Sequence, residues 1–151
     1  MKILKAGLFA GLIGGALDIL AAFIIYGAVY GAKPVRILQS ITAGLQGPAA
    51  YQGGTASAAF GLALHFFIAF VAGLVLAVAM MRIDLLRRST LATGAAFGVA
   101  MYFFMQMIVL PLSLAASSSP DMKGLAIGIA IHIFLFGLPM AFAARRVLRG
   151  S

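Results

Sequence analysis

The chain has 151 residues, 64% of them hydrophobic and 9% charged, with a mean hydropathy of +1.12. A soluble domain is roughly 45–50% apolar with about a quarter of its residues charged, and a globule of this size has too little interior to hide the excess, so a water-soluble fold is excluded. There is no cysteine, which removes disulfide scaffolds and thiolate chemistry. The net charge of +8 gathers at the ends of apolar runs and reads as membrane topology rather than as a nucleic-acid surface.

A bilayer span needs about 20 predominantly apolar residues, and four stretches qualify. The first covers about 6–30 and contains one charge, Asp18; the second covers about 56–81, inside a stretch between Arg36 and Arg82 that holds no Asp, Glu, Lys or Arg. The third covers about 90–114 and the fourth about 122–144. Capping residues fit these edges: Thr55 or Ser57 for the second, Ser89 or Thr90 for the third, and Ser119-Pro120-Asp121 as N-cap, first-turn proline and acid for the fourth. Pro111 and Pro139 are expected to kink the third and fourth helices. The whole chain, 1–151, thus reads as one integral membrane domain of the all-α class, a four-transmembrane-helix bundle.

Lys2, Lys5, Arg82, Arg87, Arg88, Arg145, Arg146 and Arg149 fall on one side, eight in all, against three, Lys33, Arg36 and Lys123, on the other. The positive-inside rule places both termini in the cytoplasm. Tyr26 and Tyr30 then sit at the outer interface. The N-terminus resembles a signal peptide, but its apolar run is too long and is interrupted by Asp18, so it is expected to remain as a span.

The first outer loop, 31–55, has 25 residues. Ile37, Leu38, Ile41 and Leu45 follow helical spacing within it, which predicts a short helix lying in the interface or packed as a lid on the outer mouth of the bundle.

Gly61-Leu-Ala-Leu-His65-Phe-Phe67 matches Gly128-Ile-Ala-Ile-His132-Ile-Phe134, and Gly7 and Gly11 match Gly94 and Gly98 more weakly. We read this as two repeated helical hairpins related by a pseudo-twofold axis along the membrane normal. Helix packing in lipid depends on small residues. The stripes Gly7, Gly11, Gly14; Gly61, Ala69, Gly73; Gly94, Gly98; and Gly124, Gly128 therefore mark inward faces, or faces for partner membrane helices or a second copy.

Each stripe carries a polar side chain: Asp18, His65, Tyr102 with Gln106, and His132. Asp18 lies roughly 20 Å from the inner helix start and the histidines roughly 13–15 Å from the outer starts, so these groups share a belt. A charge at bilayer depth costs at least about 2.5–3.5 kcal/mol unless paired or wetted. The belt is then either a satisfied network that holds the helices in register or a site for a small ligand or a proton relay. A further alternative makes His65 and His132 ligands of a metal or of haem b. No Glu, no Cys and no recognisable nucleophile–base spacing argue against an enzyme.

Pro34-Val35-Arg36-Ile37-Leu38-Gln39, Ala43-Gly44-Leu45, Gly47-Pro48-Ala49-Ala50 and the Gly61–His65 segment carry a resemblance, joined by Leu110-Pro111-Leu112-Ser113, Gly137-Leu138-Pro139 and Ala144-Arg145-Arg146. Together they resemble an uncharacterised family of small bacterial four-span inner-membrane proteins. The resemblance implies a multi-pass protein of the bacterial inner (plasma) membrane and brings no substrate, cofactor or catalytic residue. It makes Arg36 and Gln39 of the outer loop a second candidate site, beside the plainer reading of an arginine held to lipid phosphates.

Overall fold

The computed structural model describes residues 1–115 and 120–149. Four helices are long and apolar enough to cross a membrane: α1 Lys2–Tyr30, α3 Gly54–Arg82, α5 Thr90–Leu112 and α6 Met122–Arg149. A shorter helix, α2 Pro34–Gln46, continues into a 3₁₀ segment, Gly47–Gln52, and α4 Asp84–Arg88 joins α3 to α5. The described residues contain no strand. The fold is an all-α bundle, as expected for a multi-pass membrane protein.

The connections follow from backbone chemistry. α1 stops at Gly31, whose φ of +66° gives the left-handed C-cap that glycine adopts without strain. Lys33 is extended, as a residue before proline must be, and Pro34 opens α2 at the position where its missing N–H costs nothing. Ser89 caps α5 by accepting from the Ala92 N–H.

Two expected caps differ. α3 starts at Gly54 with Gly53 as its N-cap and no side-chain bond, so neither Thr55 nor Ser57 caps it; the Ser57 hydroxyl instead donates to the Ala50 carbonyl at 2.7 Å. At α6 the cap is Asp121, which accepts from the Gly124 N–H at 2.7 Å, while Ser119 lies outside the described residues.

Glycines set the packing, because with no hydrophobic drive between helices in lipid, contact depends on close backbone approach. A Cβ on Gly7 would stand 2.9 Å from Leu74 Cα, and one on Gly11 2.7 Å from Phe70 Cα. A Cβ on Gly73 would meet the Gly7 carbonyl oxygen and the Gly11 nitrogen. α5 and α6 repeat the arrangement: a Cβ on Gly137 would meet the Gly94 carbonyl oxygen and the Gly98 nitrogen.

α1 packs on α3 and α6, and α6 also packs on α3 and α5. A dry core fills the half of the bundle nearest the termini. It is formed by Ala10 of α1, Ala69, Ala72, Leu76 and Met80 of α3, and Phe136, Met140, Ala141 and Ala144 of α6.

Three spans widen into π-helical turns, at Ala22–Tyr26, Met105–Val109 and His132–Gly137. Two of them lie just before a proline. Pro111 and Pro139 cannot donate to the carbonyl four residues back, and their rings crowd it; those carbonyls belong to Met107 and Leu135, inside the widened turns. α6 runs on through Pro139 to Arg149, whereas α5 ends one residue past Pro111, at Leu112.

Candidate functional site

Two of the widened turns, Met105–Val109 and His132–Gly137, line a cavity of about 90 Å³ at the level of Asp18. Asp18 comes from α1, His65 from α3 and His132 from α6, with Met101 and Met105 of α5 on a further wall. Ile41 of α2 also lines it, and the buried Ala69 and Phe136 belong to the dry core on the terminal side.

Both imidazoles are held by backbone carbonyls. The His65 Nε2–H donates to the Gly15 carbonyl of α1 at 2.8 Å, and the His132 Nδ1–H donates to the Gly128 carbonyl of its own helix at 2.9 Å. A neutral imidazole that donates from one nitrogen keeps a lone pair on the other. His65 Nδ1 and His132 Nε2 make no hydrogen bond among the described residues. Asp18 is half-buried, and among the described residues no group donates a hydrogen bond to it. Asp18 and the two imidazoles thus line one small cavity, and no lysine or arginine does.

The rest of the expected belt is placed differently. Tyr102 is buried with its ring edge-on to His132, centroids 5.4 Å apart, and its hydroxyl has no partner among the described residues. It sets the His132 ring without lining the cavity, and the ring fills the space a side chain on Gly128 would occupy. Gln106, half-buried in the widened turn of α5, is not part of the lining either. Met101 and Met105 were not singled out in the sequence, and Ile41 stood out only as part of the outer-loop helix. They are common apolar residues, and only the crossing of α2 and the turn at Met105 bring them to this point.

Arg36 and Gln39 fasten α2. Gln39 is buried and donates to the Gly54 carbonyl at 3.0 Å. Arg36 donates to the Tyr51 carbonyl at 3.3 Å, with its guanidinium 4.9 Å from the centre of the Tyr51 ring, a cation–π distance. The Thr42 hydroxyl donates to the Ser57 carbonyl at 2.7 Å, and the α2 backbone crosses α3 at Gly61, where Leu38 leaves no room for a Cβ. Gly44 accepts from the Leu114 N–H at 2.9 Å, which ties α2 to the end of α5. Of the two positions expected for this helix, it occupies the packed one.

Among the described residues no three His, Asp or Glu side chains come together closely enough to hold a metal ion. A cavity of about 90 Å³ is also far below the ~300 Å³ at which pockets for cofactor-sized ligands begin. The site suits a guest of a few atoms. No family model, curated protein or solved structure matches the chain.

Proposed function

We propose that this multi-pass membrane protein is a binding protein of the bacterial inner membrane, its termini cytoplasmic, whose Asp18–His65–His132 cavity takes a small hydrogen-donating cation. The observation that carries this is the convergence of one acidic side chain and two imidazoles on one cavity inside an apolar bundle. A carboxyl at bilayer depth without a donor is costly; a guest that brings donors and positive charge removes that cost. A proton shared with water is the smallest such guest and an ammonium-type ion the next.

The dry core on the terminal side favours binding, or exchange with the α2 side, over a continuous channel. α2 serves as the lid over the cavity. An assembly subunit is the second reading, and the glycine stripes on which it depends are already used within the chain, at Gly7, Gly11, Gly73, Gly94, Gly98 and Gly137. A duplicated hairpin is supported by the two matching glycine contacts.

The test is nuclear magnetic resonance of histidine-labelled protein in nanodiscs titrated with methylammonium. Both imidazoles should shift with one midpoint, and Asp18→Asn should abolish the response. Rings that do not respond, or that respond equally in Asp18→Asn, overturn the proposal.

A further inference from the structure

α3 and α5 both pack on α6 yet stand apart from each other, and the gap between them is a groove of about 440 Å³. Its lining is wholly apolar: Phe67, Val71 and Val75 are on the α3 wall, and Phe97, Ala100 and Phe104 are on the α5 wall. That volume lies in the range of roughly 300–1,000 Å³ typical of ligand pockets. Ile68, Met101 and Met105 line both it and the polar cavity, so these three apolar side chains are the common wall of the two spaces at one level of the bundle. From there the groove runs toward the termini, along α3 from Phe67 to Val75, eight residues or about 12 Å.

We infer that groove and cavity form one site for a single-chain amphiphile with a cationic, hydrogen-donating head, which enters sideways from the bilayer. The inference rests on the cavity being the binding site proposed above, and it names the guest's class. The head is fixed by charge complementarity. The cavity is lined by the acidic Asp18 and two imidazoles and by no lysine or arginine, so an ammonium head finds an acidic partner there and an anionic head meets Asp18. Its small volume admits a compact head and no bulky one. The tail is fixed by the groove, which offers no hydrogen-bonding side chain and holds an alkyl chain parallel to the helices. Lateral entry also fits the vertical seals, α2 above and the dry core below.

The experiment uses dodecylamine with a diazirine at the far end of its chain, photolysed with the full-length protein in nanodiscs, followed by mass spectrometry of peptides. Label is expected on the groove walls, between Phe67 and Val75 and between Phe97 and Val109. Unlabelled dodecylamine should compete at least tenfold better than dodecanoate. Ala100→Phe, at an exposed position on the groove wall, should abolish groove labelling while leaving the methylammonium response intact, which also reports that the variant is folded. Asp18→Asn should abolish both.

Label spread evenly over lipid-facing residues outside the groove, such as Phe9 and Phe142, overturns the inference, as does equal competition by dodecanoate. A groove closed by a second copy, seen as cross-linked dimers through Phe67 and Phe104, overturns it too. Methylammonium binding without groove labelling would remove the amphiphile and leave the cavity reading standing; loss of methylammonium binding in the unmodified protein would remove both.

Discussion

Single atoms decide which residues in this bundle can be changed. At Gly11 a Cβ would stand 2.7 Å from Phe70 Cα, a backbone atom that cannot rotate away, so Gly11→Val must push α1 off α3. Overpacking of this kind costs typically 1–3 kcal/mol; we expect a loss of about 2 kcal/mol in denaturant titrations in micelles. Gly44→Ala is the contrast. Its nearest neighbour is Ser113 Cβ at 3.8 Å, an ordinary contact, and alanine is the better helix former, so stability should be unchanged or rise by up to ~1 kcal/mol. The histidines separate in the same way. His65 bonds α3 to α1, whereas His132 bonds to its own helix. His65→Phe should therefore cost about 1 kcal/mol, within the range measured for interhelical bonds in lipid. His65→Gln should restore part of it. Equal costs for His65→Phe and His132→Phe would show that the Gly15 bond contributes nothing between helices.

Elements carry the second set of constraints. The prolines explain two of the three widened turns, and Pro111→Ala returns an N–H at the position where the carbonyl of Met107 stands four residues back. The turn Met105–Val109 should then tighten to α-helix and withdraw Met105 from the cavity wall. Slower amide exchange across that turn is the expected reading, and unchanged exchange would mean that the widening has another source. Both prolines were visible in the sequence as sites of bending; that they act by widening the preceding turn, beside the belt, depends on tertiary packing that no local pattern encodes. The segments matched in the proposed repeat do not all make matching contacts. Gly7 and Gly11 correspond to Gly94 and Gly98 at an offset of 87, and their contacts match. Their partners Gly73 and Gly137 lie 64 apart, whereas His65 and His132 lie 67 apart. The histidines are therefore displaced by nearly one turn relative to the glycine contacts, and they find different carbonyls. Sequence matching favoured the histidine segment, but the backbone contacts follow the glycines, because close approach tolerates no side chain while a histidine's neighbours can vary.

At the scale of the molecule, the composition led directly to four apolar helices, and the depth of Asp18, His65 and His132 followed from counting residues along them. What counting could not supply is which helices touch. A closed four-helix ring would bury α5 against α3; instead α5 rests on α6, and the side facing α3 is open to lipid. Helix order around a bundle depends on which stripes interlock, and here Gly137 draws α6 into the backbone of α5 while Gly73 draws α3 into that of α1. Nothing comparable joins α3 to α5. This openness is testable because the chain has no tryptophan. Phe97 and Phe136 stack with ring centroids 6.5 Å apart, but Phe97 lines the groove while Phe136 is buried at 4% exposure. Tryptophan fluorescence of Phe97→Trp should be quenched by phospholipids brominated on their acyl chains, and that of Phe136→Trp should be far less affected. Neither should respond to iodide, since the groove is lined by apolar side chains alone. Protection of both positions from brominated lipid would mean that α3 and α5 close against each other in the bilayer. Protection of Phe97→Trp that appears only on adding dodecylamine would mean that the groove is open until its guest fills it.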